Sequence, residues 1–187
     1  MKETAEEISL SLKIIFSTSL RTKIVLADWK DGEITALFKK GNKVEPSNSR
    51  PVSLTSIVSK IMEKIITDAL IEHTKINKYL SKSQYGFIQG RSTTLHLLTV
   101  PERWTEVIDD GNEVHCIYLD LMKAFDKVPH KRLLSKLKSY NVNDQIFSWI
   151  ESFLKGRRQR MVVNGERSTW RDVSSGNGTW NHTFRYL

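Results

Sequence analysis

Val114-His115-Cys116-Ile117-Tyr118-Leu119-Asp120-Leu121 is the stretch on which the reading of this 187-residue chain turns. Its near-continuous apolar run, Val114, Cys116, Ile117, Tyr118 and Leu119, opens after a Gly111-Asn112 turn and predicts a buried strand that ends on Asp120. Such a strand delivers a carboxylate to a sheet edge, where burial is costly unless a cation or several donors compensate. A hard divalent ion such as Mg2+ would do so, since it takes one or two carboxylates together with substrate phosphates. A strand-end Asp that caps the following turn through its side chain satisfies the same pattern. Asp120 taken alone leaves both readings open.

Upstream, Ile8, Leu12, Ile15 and Phe16 fall on one helical face of a helix over Glu6 to Phe16. Ile34, Ala36 and Phe38 alternate with Thr35 and Leu37, which predicts a short strand running into a turn at Gly41-Asn42. From Ser56 to Ile76, Ile57, Ile61, Ile65 and Ala69 recur at helical spacing, with Thr55 or Ser56 as the cap. Leu95, Leu98 and Trp104 mark another helix between Ser92 and Asp109, and Pro101 inside it predicts a kink or break near Val100. Downstream, a helix starts at Pro129-His130 and carries Leu133, Leu134 and Leu137; a second covers Ile146 to Leu154 and stops at Gly156. Arg160 to Val163 and Thr169 to Val173 predict a hairpin that turns at Asn164-Gly165. Helices grouped on either side of a few non-consecutive strands favour an α+β fold over a doubly wound parallel sheet.

The charge balance narrows the partner. The chain carries a formal charge of +8 and a pI of about 9.6. Its basic blocks at 38–64, 121–140 and 151–187 are separated by acidic spacers, which points to an anionic partner, nucleic acid first. The lone Cys116 excludes disulfide-stapled scaffolds and structural zinc sites built on cysteine. Glu3, Glu6 and Glu7 after Met1-Lys2 do not suit a targeting signal, and no apolar run approaches the ~18 residues of a membrane span. The expectation is an intracellular protein of the cytoplasm or nucleus, neither secreted nor membrane-bound, so the sequons at Asn177 and Asn181 read as accidental.

The run from Ile117 to His130, with Asp120, Phe125 and Asp126 inside it, closely resembles the first catalytic motif of reverse transcriptases in the form used by non-LTR, LINE-like retrotransposons. Three further segments agree in order. Leu37-Phe38-Lys39-Lys40-Gly41-Asn42, continuing through Asn48-Ser49-Arg50-Pro51-Val52-Ser53-Leu54-Thr55-Ser56, resembles the family's first block, and Ser83-Gln84-Tyr85-Gly86-Phe87-Ile88-Gln89-Gly90-Arg91-Ser92-Thr93-Thr94 its second. Trp149 to Gly165, with Gly156-Arg157-Arg158-Gln159-Arg160, is similar to the stretch after the first catalytic motif, most closely in jockey-like elements.

The resemblance implies the fingers and part of the palm of a right-hand polymerase over residues 1–176. Its partners would be an RNA template, a DNA primer and dNTPs, and two Mg2+ ions would clamp the attacking hydroxyl and the leaving pyrophosphate. By the same resemblance, Asp120 is the first metal-binding carboxylate and the Leu121 carbonyl a backbone ligand. Phe125 packs under the incoming sugar, or is a core Phe at a helix start, while Asp126 is structural. Lys39, Lys40 and Arg50 belong to a hairpin that grips the triphosphate, a task that suits mobile basic groups, and Arg91 lies near template and nucleotide. Asp109-Asp110 is a decoy for the second catalytic motif: it precedes Asp120 and sits at a predicted helix end. After Gly176 the family pattern stops, and 177–187 reads as a divergent tail. The expectation is therefore a fragment that does not catalyse by itself; the rival expectations are a non-catalytic nucleic-acid-binding remnant and a non-functional pseudogene product.

Overall fold

The computed structural model describes residues 5–42, 45–88, 90–121 and 127–176. Phe125, Asp126 and the 177–187 tail lie outside them. The helices are α1 (Ala5–Thr22), α2 (Ala27–Lys30), α3 (Ile57–Ile76), α4 (Thr93–Asp109), α5 (His130–Ser139) and α6 (Asp144–Leu154). The strands are β1 (Asp31–Phe38), β2 (Ser49–Leu54), β3 (Arg158–Val163), β4 (Glu166–Arg167) and β5 (Arg171–Asp172). Helices and a mainly antiparallel sheet combine in one mixed fold, in line with the sequence reading.

The core is helical. Phe16 of α1, Trp29 of α2, Met62, Ile66 and Leu70 of α3, Leu137 of α5, and Trp149, Ile150 and Phe153 of α6 pack into one apolar cluster. Trp149 is its hub: it is 1% exposed, stacks on Phe153 at 5.1 Å, and donates its indole N–H to Ser19 Oγ at 2.9 Å. Ser19 Oγ in turn donates to the Ile24 carbonyl at 2.7 Å, so the polar edge of the largest side chain is satisfied where α1 ends. Each such aromatic or aliphatic side chain contributes roughly 1.5–3 kcal/mol on burial.

The sheet has the order β2-β1-β3-β4, with β5 also on β3. β1 and β2 form an antiparallel hairpin in which Leu37 faces Arg50 and Ala36 faces Pro51. Pro51 fits because β2 is an edge strand and the missing N–H costs no ladder bond on its open side. β1 and β3 run parallel, Asp31 facing Arg158 and Glu33 facing Arg160. Asn164 and Gly165, at φ 51° and 86°, make the two-residue turn into β4 that the sequence predicted.

Four expectations are corrected, and one helix shows a face that its spacing left open. The stretch 114–119 pairs with no strand among the described residues, and Ile117, Tyr118 and Leu119 are 86%, 84% and 89% exposed. An apolar strand is buried only by lateral neighbours that take its backbone groups, and β3 already has neighbours on both sides. On α3 the helix is as predicted, but Ile57, Ile61 and Ile65 face outward while Met62, Ile66 and Leu70 face the core. This helix carries two apolar stripes, and helical spacing alone does not say which one its neighbours cover.

The helix predicted over Glu6 to Phe16 extends on to Thr22. α4 runs unbroken through Pro101; the turn before it is exposed, so the carbonyl that proline leaves without a donor faces solvent. The return of the β3 hairpin is split into β4 and β5. Between them Ser168 bonds Met161 twice, through its N–H and its Oγ at 3.0 Å each, and Trp170 turns under the β3 arginines.

Candidate functional site

β1 and β2 position the first set of predicted groups. Lys39 follows β1 and donates its N–H to the Asn48 carbonyl at 2.9 Å, extending the ladder one step beyond the Phe38–Ser49 pair. By strand alternation Lys39 then shares a face with Leu37 and its cross-strand partner Arg50, and Lys40 follows at the tip. Gly41, at φ +90°, makes the turn tight: a Cβ there would lie 2.8 Å from Asn48 Nδ2, whose amide closes the loop on the Asn42 carbonyl at 3.0 Å. The hairpin thus brings Lys39, Lys40 and Arg50 together, all exposed.

The same sheet face carries a second basic set with opposite electrostatics. Arg158 makes a bidentate pair with Asp31, at 3.1 Å and 2.6 Å, which raises the Arg158 pKa further. Glu33 accepts from Arg160, at 2.9 Å from Nε with a second bond from Nη2, and from Arg167 at 3.1 Å. These two arginines hold the Glu33 carboxyl below the usual range. Trp170 lies under the Arg160 and Arg158 guanidiniums at 4.4 Å and 5.2 Å. Arg158, Arg160 and Arg167 are thus committed to internal carboxylates, whereas among the described residues no carboxylate pairs with Lys39, Lys40 or Arg50. An incoming anion meets uncompensated charge at the hairpin tip and neutralised charge on the body of the sheet.

Behind the sheet, Arg157 is 2% exposed, lies 4.4 Å over the Phe153 ring and has its pKa pushed down to about 10 by burial, against the attraction of buried Glu63. The same cation lowers the Lys30 pKa as a second cause after burial. His130 starts α5 as expected, and burial, then Arg157, lowers its pKa although the Gly176 carbonyl, 3.4 Å away, opposes the shift.

The remaining predicted groups are placed separately. Asp120 and Leu121 sit in the exposed 114–121 segment. Arg91 is turned inward on its own loop: its Nη1 donates to the carbonyls of Lys82 (2.7 Å), Ser81 (3.3 Å) and Gln84. Asp109 ends α4 and Asp110 caps it, as the decoy reading required. Among the described residues no three His, Cys, Asp or Glu side chains gather as a metal site. Asp120 with the Leu121 carbonyl offers one carboxylate against the charge of two divalent ions, so the described residues do not by themselves form such a centre. No described helix is long and apolar enough to cross a membrane.

The sequence reading missed the Asp31–Arg158 and Glu33–Arg160 pairing. Its signal was present: Asp31-Gly32-Glu33 and Arg158-Gln159-Arg160 carry opposite charges at the same period of two.

Comparison with known proteins places these groups in context. Residues 38–178 match the family model described as reverse transcriptase (RNA-dependent DNA polymerase). The chain is 30% identical over 168 residues to a probable RNA-directed DNA polymerase from transposon BS of Drosophila melanogaster, covering 89% of this chain and 18% of that protein. It is 28% identical over 177 residues to the probable RNA-directed DNA polymerase from transposon X-element of Drosophila melanogaster, covering 94% and 19%. To the RNA-directed DNA polymerase from mobile element jockey of Drosophila funebris it is 28% identical over 168 residues, covering 89% and 18%. The chain therefore spans less than a fifth of the length of these relatives.

Proposed function

Because the chain belongs to the reverse transcriptase (RNA-dependent DNA polymerase) family, we propose that it supplies the fingers and the first part of the palm of a jockey-like retroelement polymerase. Residues 1–176 form that part, and 177–187 a divergent tail. Its template is RNA, its primer DNA, and its incoming substrate a dNTP. Lys39, Lys40 and Arg50 draw in the triphosphate, and Phe125, outside the described residues, keeps the role at the incoming sugar that the resemblance assigns to it. Asp120 and the Leu121 carbonyl furnish part of a Mg2+ centre, whose chemistry in complete relatives is an in-line phosphoryl transfer. Arg91, which the resemblance assigns to the neighbourhood of template and nucleotide, also holds its own loop in shape through the Lys82 and Ser81 carbonyls.

One observation supports the reading: the three basic groups that the family resemblance assigns to triphosphate lie on one hairpin and pair with no carboxylate among the described residues, unlike Arg158, Arg160 and Arg167 of the same sheet. A cation already paired to a carboxylate gains little from a phosphate, since it must give up one anion to take another. The chain is proposed not to extend a primer alone, because the described residues assemble no metal centre.

Two measurements on the purified chain test this. Binding to an RNA–DNA template-primer should weaken steeply as salt rises, and a Lys39→Glu/Lys40→Glu/Arg50→Glu variant should bind roughly 10-fold or more weakly with a flatter salt slope. Primer extension with dNTPs and Mg2+ should be absent. Binding that ignores both salt and the triple substitution would remove the proposed role of the hairpin; extension that Asp120→Ala abolishes would show instead that the chain is itself a polymerase.

A further inference from the structure

Ile117, Tyr118, Leu119 and Leu121 are the four most exposed large apolar side chains among the described residues. Residues 112–121 run without a turn or a bend and join no ladder. A strand-like stretch of this kind is a template for a partner strand.

A point of departure for such a partner stands beside Val128. Pro129 and Ser175 form an antiparallel bridge, and Gly176 donates its N–H to the Val128 carbonyl at 3.0 Å. The 177–187 tail therefore sets out from Val128, in the sense opposite to the chain that arrives there from Leu121. Leu121 stands seven positions before Val128, and Phe184 eight after Gly176. Stretches of like length from one anchor have like reach, ~3.3–3.6 Å per residue. Residues 184–187 can thus lie against 118–121 whatever path lies between.

The chemistry of the two stretches matches. Trp180, Phe184 and Tyr186 alternate with Asn181, Thr183 and Arg185, the period of two of a strand with one apolar face. One register suits both sides: with Arg185 opposite Asp120, Phe184 falls opposite Leu121 and Tyr186 opposite Leu119. Opposite charges and aromatic–aliphatic neighbours are cross-strand pairs that stabilise a sheet, and Asp120 makes no ion pair among the described residues. Counted from the Pro129–Ser175 bridge, this register needs one extra residue on the tail side. Gly176, at φ +76°, is the residue type and backbone angle with which a bulge admits one.

We propose that the 177–187 tail folds back as an antiparallel strand on 118–121, with Arg185 paired to Asp120. Seated there, it closes over Asp120 and the Leu121 carbonyl and blocks them until it lifts. The strand pairing is independent of the role proposed for Asp120; only the blocking rests on that role.

Hydrogen–deuterium exchange of the full chain, read by mass spectrometry at several protein concentrations, tests the pairing without nucleic acid or metal. A single strand pair is marginal, so protection should be local and modest. Amides of 117–121 should exchange roughly 10-fold more slowly than those of an unstructured peptide of the same sequence, at every concentration. Arg185→Asp sets two carboxylates opposite each other and should abolish that protection, and Arg185→Asp combined with Asp120→Arg should restore it. Amides of α6 should stay protected in both variants. Free exchange at 117–121 in the parent, protection indifferent to Arg185→Asp, or a loss that the charge swap does not restore would each overturn the proposal. Protection of the tail alone would place it on β5 through a turn at Asn177-Gly178, and protection that grows with concentration would make a second copy the occupant. Both results overturn it, as does loss of α6 protection in the variants, which would seat the tail on the core.

Discussion

The 114–121 segment is more apolar in sequence than the α6 helix, and the fold treats the two in opposite ways. In α6, Trp149, Ile150, Phe153 and Leu154 are all buried; in the segment, Ile117, Tyr118, Leu119 and Leu121 are all exposed. The difference is in what each needs from its surroundings. A helix satisfies its backbone internally and asks neighbours only for apolar surface, which α1, α3 and α5 provide. A strand asks neighbours for hydrogen bonds as well, and no described strand pairs with this segment. Apolar composition therefore measures demand for burial, and secondary-structure type sets what must be present to meet it.

Truncating one residue on each side breaks or sharpens this contrast most directly. Trp149→Ala should cost about 4–5 kcal/mol, because it opens a cavity and leaves Ser19 without the indole donor. Leu119→Ala should change the unfolding free energy measured in urea by less than about 0.5 kcal/mol. Comparable losses at both positions would mean that the segment is buried in solution.

Next in size is the buried charge beside α6. Glu63→Gln removes a buried carboxylate that attracts Arg157 and should cost up to about 3 kcal/mol. Combining it with Arg157→Met should recover much of that loss, since neither charge then remains buried. If the double variant is no better than Glu63→Gln, the attraction between the two residues is not what stabilises this region.

A smaller contrast compares two helix caps. Asn143 Oδ1 accepts the Gln145 N–H at 2.9 Å at the start of α6, and Ser92 Oγ accepts the Leu95 N–H at 3.1 Å at the start of α4. Asn143→Ala should lower global stability by about 1 kcal/mol. α4 has no buried residue, so Ser92→Ala should reduce helical circular dichroism while leaving the unfolding midpoint in place. A midpoint shift in Ser92→Ala would show that α4 is part of the cooperative unit.

These contrasts also show what was legible from residues. The five longer helices and both hairpin turns were readable, because amphipathic spacing, Asn164-Gly165 and Gly41 are local signals; the four-residue α2 was not read. The choice of face on α3 was not, since Ile57-Ile61-Ile65 and Met62-Ile66-Leu70 are equivalent until neighbours are known. For the candidate site, the grouping of Lys39, Lys40 and Arg50 followed from one hairpin and could be anticipated. The inward turn of Arg91 could not, since it belongs to a loop in which Phe87 takes a backbone angle that residue type argues against.

The smallest expected effect is a pH dependence at the junction of α5 with the sheet. Folding lowers the His130 pKa, so the unfolded chain binds this proton more readily. The stabilising contribution is complete above the ordinary imidazole value of about 6.5 and is lost as pH falls through the lower folded value. His130→Gln should flatten the stability profile below about pH 6.5 without changing it at pH 8. An unchanged slope in that variant would assign the acid sensitivity to other groups, Glu33 being the next candidate at lower pH because its folded pKa is depressed.

The parallel junction of β1 with β3 also sets a timetable for the chain's synthesis. Asp31 and Arg158 are separated by 127 positions, and closing a loop of that length costs on the order of 4 kcal/mol in chain entropy before the first ladder bond forms. At roughly 5–20 residues per second, β1 leaves the ribosome roughly 6–25 s before β3 exists. Through that interval the edge that will receive β3 is held only by its hairpin with β2, and Asp31 and Glu33 stand along it without their arginines. Two acidic side chains spaced along a waiting strand repel any identical nascent strand that approaches it. The carboxylates that pair with Arg158 and Arg160 in the finished sheet are thus of the charged kind that disfavours edge-to-edge strand pairing wherever their arginines are absent.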